Sequence, residues 1–164
     1  MHNIQDPVYE LCAQLGSHLR AKGLLLATAE SCTGGGVAYA ITEITGSSEW
    51  FDCGFVTYSN ASKSELLNVS AAEIAQHGAV SQEVAAAMAE GALANSQAHI
   101  ALSTTGIAGP GGAVPGKPVG TVCFGWAMQN RPTVTERLVL SGDRHAVRQQ
   151  SILHVLQGVL KLLA

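Results

Sequence analysis

Ala29-Glu30-Ser31-Cys32-Thr33-Gly34-Gly35-Gly36 is the stretch around which the chain reads. An apolar run, Leu24 to Ala27, enters it as a buried strand. Val37 to Ile44 leaves it as a helix that stops at Gly46. Ser31, Cys32 and Thr33 therefore fall on a strand-to-helix turn. The three glycines let the backbone turn sharply and bare its N–H groups. Those groups lie at a helix start, where orphan donors and the dipole favour negative charge. A hydroxyl, a thiol and an anion site this close together are the parts of a nucleophile and its oxyanion hole. The same residues also suit a plain N-cap by Ser31 or Thr33 on a tight turn.

Outward from the turn, the pattern is one of alternating helices and strands. Asp6-Pro7 reads as an N-cap and a first-turn proline, and Val8, Leu11, Cys12, Leu15 and Leu19 repeat at helical spacing until Gly23. Beyond the turn, Trp50 to Tyr58 reads as a strand, with Asn60 as the cap of a short helix through Leu67. Ser70 to Glu73 is a capping box for a second short helix closed by His77-Gly78. Ser81 opens a longer helix to Ala94, and Ala98 to Thr104 is a buried strand. Thr105 to Pro118 is a loop crowded with Gly and Pro. Val119 to Met128 and Val134 to Leu140 pair as strands around Asn130-Arg131-Pro132, and Asp143 caps a last helix. This order, alternating and then ending in a hairpin, predicts an α/β fold. The architecture expected is a three-layer α/β/α sandwich with a mixed β-sheet, in a single domain spanning 1–164.

Composition narrows the function classes. Apolar residues make up 47% of the 164 and charged residues 13%, a globular balance with a sparsely charged surface. That surface suits burial against further copies of the chain, so a homo-oligomer is expected. A net charge of −3 argues against a nucleic-acid partner. No apolar run approaches membrane-spanning length, and the leading residues, with Asp6 and Glu10, do not read as a signal peptide. The four cysteines are far apart and read as reduced thiols, which points to the cytoplasm. The six histidines show no metal-ligand spacing, so neither a metal nor a cofactor is expected.

A serine nucleophile needs a base, because its hydroxyl hardly ionises near neutrality. Lys63 is the suggestive group: the first turn of its helix and burial would both depress its pKa, and a neutral amine can take the serine proton. Tyr58, at the strand end, is placed to relay a proton or hold the amine. A solvated lysine beside a half-buried tyrosine is the alternative. Cys32 is a rival nucleophile if the helix start lowers its pKa, and a packing thiol otherwise. Gly111 to Lys117 matches the opening of a phosphate-binding P-loop, but Pro118 stands where Ser or Thr should hold magnesium, and a strand follows instead of a helix. An NTPase is therefore excluded, and the loop with Thr105 and Gly106 reads as the wall of a pocket. Arg144, opening the last helix, suits a phosphate or carboxylate. Arg148, one turn later, reads as a surface residue paired with an acidic neighbour. Candidate substrate contacts are thus Cys32, Thr33, Gly34 and Gly35 in the turn, Thr105 and Gly106 in the loop, and Arg144.

Five segments recur in one order: Glu30-Ser-Cys-Thr-Gly-Gly35, Gly54-Phe-Val-Thr-Tyr-Ser-Asn60 with Lys63, His77-Gly-Ala-Val-Ser81, Thr105-Gly-Ile-Ala-Gly-Pro110 and Ser141-Gly-Asp-Arg144. Together they make the chain resemble the CinA C-terminal domain family, the nicotinamide-nucleotide amidohydrolases, from about Val8 to the end. Larger members carry an extra N-terminal domain, and the chain resembles the stand-alone form. The resemblance implies hydrolysis of the carboxamide of nicotinamide mononucleotide, a small-molecule nucleotide substrate, to nicotinate mononucleotide and ammonia. This step recycles pyridine nucleotide toward NAD. It also implies a metal-independent mechanism with Ser31 as nucleophile, Lys63 as base and Tyr58 assisting.

Overall fold

Asp6 accepts a hydrogen bond from the Val8 N–H at 3.0 Å, Pro7 takes the first helical position, and Gly23 ends the helix in the left-handed region. These local signals produce α1 (Pro7–Lys22), the first element of a computed structural model that describes residues 6–164. The expectation for the leading segment falls partly on residues 1–5, outside the described residues. There follow β1 (Leu26–Glu30), α2 (Gly36–Thr42), a 3₁₀ turn (Ser47–Glu49), β2 (Phe51–Val56), α3 (Asn60–Leu67), α4 (Ala71–His77) and α5 (Gln82–Ala94). The chain finishes with β3 (Ile100–Gly106), β4 (Thr121–Met128), β5 (Val134–Val139) and α6 (Arg144–Leu163). The element order is the one expected from the sequence, and the sheet is mixed. No described helix is long and apolar enough to cross a membrane.

The five strands lie in the order β2-β1-β3-β4-β5. β1 runs parallel to both β2 and β3, whereas β4 and β5 are antiparallel additions beyond β3. β1, β3 and β4 are buried almost throughout, because helices cover both of their faces. One layer holds α1, α2 and α6 over a core that includes Leu15, Leu19, Ile41, Trp50 and Leu156. The other holds α3, α4 and α5 over Leu67, Val84, Met88 and Ala101. From β1 the chain moves to one neighbour, β2, and later crosses back to the other, β3. The boundary between β1 and β3 is thus a topological switch point, where connections leave in opposite directions and open a crevice at the strand C-termini.

Element ends shift by one to a few residues from expectation, as in β2, which covers Phe51–Val56 where the sequence reads Trp50 to Tyr58, and three further shifts bear on the site. Ser59, not Asn60, caps α3: its extended backbone and its Oγ, which accepts from the Ser62 N–H at 3.1 Å, meet the requirements of a cap. Lys63 consequently sits one residue deeper in the helix. Thr105 and Gly106 finish β3 instead of starting the loop, since β4 continues pairing with them. β4 begins only at Thr121, because Gly120, at φ 93°, turns the chain into it.

Candidate active site

Glu30 closes β1 and is completely buried, yet its carboxylate is well satisfied. Oε1 accepts from the Val37 N–H at 2.8 Å and from the Thr33 hydroxyl at 2.7 Å, and Oε2 accepts from the Ala38 N–H at 3.1 Å. An ionised carboxylate accepts only, so Thr33 gives it its single proton. Thr104, 2.8 Å from Thr33 Oγ1, must then donate to Thr33. Gly35, the N-cap of α2, has no side chain to offer, and Glu30 reaches across to do that work. The helix start expected to receive a substrate anion is therefore already filled by a carboxylate of the protein itself. Gly34 and Gly35, at φ 58° and 94°, shape this turn in a conformation that side chains resist.

Ser31 follows directly. Its N–H donates to the Thr104 carbonyl at 2.9 Å, extending the β1–β3 register by one residue, and its carbonyl accepts from the Gly34 N–H at 3.0 Å. Its Oγ lies 3.1 Å from Lys63 Nζ. The amine also donates to the Thr57 carbonyl at 3.0 Å, and the whole lysine is 1% exposed. Burial pushes its pKa below the ordinary lysine value, an effect opposed only by the neighbouring Cys32 sulfur. The amine thus donates to both the Thr57 carbonyl and Ser31 Oγ.

These two residues line a cleft of ≈ 180 Å³. Its walls include Cys32, Tyr58, Asn60, Thr105, Gly106 and Arg144. Of the residues singled out by sequence, Ser31, Cys32, Tyr58, Lys63, Thr105, Gly106 and Arg144 thus converge. Thr33, Gly34 and Gly35 do not line the cleft, because Thr33 is committed to Glu30 and the glycines to the turn. Tyr58 is not on the amine. Its hydroxyl accepts from Arg144 Nη2 at 3.1 Å, while Arg144 Nη1 donates to the Gly109 carbonyl at 3.0 Å. This exposed pair forms a cationic lip at the mouth. The Cys32 thiol is pushed up to about 12, mainly by burial, as suits a packing thiol better than the rival nucleophile.

Several contributors lacked a sequence signal. Thr57 acts through a backbone carbonyl, which no side chain advertises. Ala79 and Val80, in the loop before α5, close the cleft with small side chains. Among the described residues Arg148 pairs with no acidic neighbour. Its Nε donates to the Cys32 carbonyl at 3.1 Å and its Nη2 to the Thr33 carbonyl at 3.2 Å.

The chain matches the family described as CinA C-terminal domain over residues 8–163. It is 50% identical over 157 residues to the nicotinamide-nucleotide amidohydrolase PncC of Pseudomonas putida, covering 96% of this chain and 98% of that protein. It is 51% identical over 148 residues to the protein of the same name from Escherichia coli (strain K12), covering 90% of each. Among solved structures, the competence/damage inducible protein CihA from Agrobacterium tumefaciens superposes with a TM-score of 0.96 at 38% identity, over 100% of both chains.

Proposed function

The chain belongs to the CinA C-terminal domain family, and from that membership we propose that it hydrolyses the carboxamide of nicotinamide mononucleotide, giving nicotinate mononucleotide and ammonia. The observation that carries a Ser-Lys mechanism is the buried contact of 3.1 Å between Lys63 Nζ and Ser31 Oγ. Neutral Lys63 takes the Ser31 proton as Oγ attacks the amide carbon, and the carbonyl electron pair moves onto oxygen. The resulting ammonium returns that proton to the amide nitrogen, the C–N bond breaks, and ammonia leaves an ester on Ser31. Water then gives a proton to the same amine and attacks the ester; its C–O bond breaks and Ser31 is reprotonated.

The cleft is smaller than the roughly 300 Å³ at the low end for enclosed ligand sites. It suits the pyridine ring and its carboxamide, with ribose and phosphate directed outward. Arg144 stands there, and a guanidinium at the lip matches a phosphate. With the helix start of α2 filled by Glu30, Arg144 is the remaining cation at the mouth for this role. The step fits recycling of pyridine nucleotide toward NAD.

Ammonia release from nicotinamide mononucleotide by the purified protein is the test, with nicotinamide and its riboside as controls. Ser31→Ala is expected to abolish release while leaving the circular dichroism spectrum unchanged, and Cys32→Ala to retain it. The opposite pattern would transfer the nucleophile to Cys32. Nucleotide binding without any ammonia would favour a non-catalytic binding module.

A further inference from the structure

We infer that Asn60 is a specificity-determining residue for the reaction: its carboxamide takes the two vicinal hydroxyls of the substrate's ribose. The inference rests on the proposed hydrolysis of nicotinamide mononucleotide and adds to it the group that recognises the sugar.

The sequence offers Asn60 as the cap of α3, and the structure gives that task to Ser59, whose Oγ accepts from the Ser62 N–H. Asn60 is left at the first position of the helix with its side chain released from capping. It lines the cleft, yet among the described residues its carboxamide makes no hydrogen bond. The other wall side chains that carry oxygen or nitrogen are engaged. Ser31 and Lys63 meet each other, Thr105 Oγ1 donates to the Ala79 carbonyl at 2.7 Å, and Tyr58 accepts from Arg144. Asn60 is exposed, so solvent satisfies its amide in the free protein. A ligand that displaces this solvent must offer a donor and an acceptor side by side.

The order of residues along this segment matches the order of groups in the substrate. Tyr58 holds Arg144, the cation at the lip. Asn60 comes two residues later. Lys63 follows one helical turn on, a neighbour on the same face of α3 at about 5–6 Å between Cβ atoms. Lys63 is buried and Asn60 open to solvent, so the segment passes from the lip to the reacting amine. The nucleotide passes likewise from phosphate through ribose to carboxamide. With its carboxamide at Ser31 and its phosphate at Arg144, the ribose comes against Asn60. The chemistry of the two groups agrees. A primary amide presents an acceptor and a donor in one plane, and each hydroxyl of a cis-diol can donate or accept. The Asn60 oxygen accepts from one hydroxyl while its NH₂ donates to the other. Arg144 only donates and offers no such pairing.

The test compares wild type and Asn60→Ala on nicotinamide mononucleotide and on its carbocyclic analogue lacking the 2′ and 3′ hydroxyls, the latter read as substrate or as competitive inhibitor. The substituted side chain is exposed and unbonded, so the fold is retained, as an unchanged circular dichroism spectrum would show. Asn60→Ala is expected to raise KM for the mononucleotide about fivefold to a hundredfold, the worth of two neutral hydrogen bonds, with kcat within about twofold of wild type. On the analogue the variant and wild type should agree within about twofold, because the partners of the amide are gone from the ligand. An unchanged KM for the mononucleotide, or a fall in kcat alone, would overturn the assignment. So would an equal loss on both ligands, which would set Asn60 against the pyridine carboxamide or make it a structural residue of α3. Failure of the underlying reading shows separately: wild type then releases no ammonia from the mononucleotide, and the proposal falls with it.

Discussion

The two halves of the sheet share one core but divide the labour. In the parallel half, β2, β1 and β3 end on the same edge, so the residues that follow them meet: Thr57 and Tyr58 after β2, Ser31 after β1, Thr105 and Gly106 at the end of β3. The antiparallel half, β4 and β5, contributes no residue to the walls of the cleft. It supplies Val122, Phe124 and Trp126 to the core and ends in a strand whose Val134 and Val139 are exposed. Strand direction and distance from the switch point are the cause. Parallel neighbours deliver their C-terminal loops to one side, β4 runs the opposite way, and β5, which runs with β3 again but lies two strands beyond it, reaches the cleft only through Arg144 past its end. Chemistry gathers on the first half and stability on the second.

The largest break in this division should come from Lys63→Arg. Arginine fills the site with a charge it cannot lose, so general-base catalysis should fall by ~10²–10⁴-fold with no recovery at high pH. On the proposed Ser-Lys mechanism, kcat/KM of the wild-type protein should rise with pH through a midpoint below that of a free lysine, because only a neutral amine can take the Ser31 proton. Stability should move the same way. Unfolded Lys63 binds more protons than folded Lys63 between its lowered native pKa and the ordinary value, so folding becomes more favourable as pH rises through that window. Substantial turnover in Lys63→Arg with an unaltered pH profile would leave Ser31 without its base.

Trp126→Ala tests the other half. The ring stacks with Phe124 at 6.0 Å between centroids, and its Nε1 donates to the Val155 carbonyl at 2.9 Å. The loss is expected to be about 3–5 kcal/mol, lowering Tm by about 10 °C. KM of the folded fraction, read from kinetics well below that melting point, should stay at the wild-type value. A raised KM would show that the antiparallel half shapes the cleft.

Smaller effects sharpen the boundary at the lip. Arg144→Ala should raise KM for the nucleotide by roughly tenfold to a hundredfold and leave the riboside nearly unchanged, the pattern of a lost charged hydrogen bond to phosphate. Equal losses on both substrates would make Arg144 a structural residue. Tyr58→Phe should give the smallest shift, about twofold to fivefold in KM, because it removes one exposed hydrogen bond to that guanidinium. A fall in kcat with unchanged KM would instead return Tyr58 to the proton path.

Much of this was legible along the chain because it rests on local physics. Asp6-Pro7 with Gly23, Ser70, Ser81 and Asp143 mark helix ends through capping bonds made within a few residues, and they stand where the pattern put them. Asn60 was a near miss of the same kind: two adjacent residues were both able to cap, and the backbone of Ser59 had the extended geometry. Convergence of Ser31 with Lys63, 32 positions apart, followed from the parallel order once β1 and β2 were adjacent.

By itself, the sequence determined the order of elements, the mixed sheet and the strand-to-helix turn that carries Ser31. Periodicity, caps and glycines act over short distances and are written in residue types. Tertiary structure alone decided who occupies the start of α2, which carbonyl holds the Lys63 amine and where two arginines on one helix point. Each of those is a competition among groups distant in sequence for the same donor or acceptor. Glu30 won the helix start because a buried carboxylate must be satisfied and a short-range partner was at hand. Arg148 went to the turn because the Cys32 and Thr33 carbonyls lay within its reach, while Arg144, one turn nearer the helix start, faced Gly109 and Tyr58.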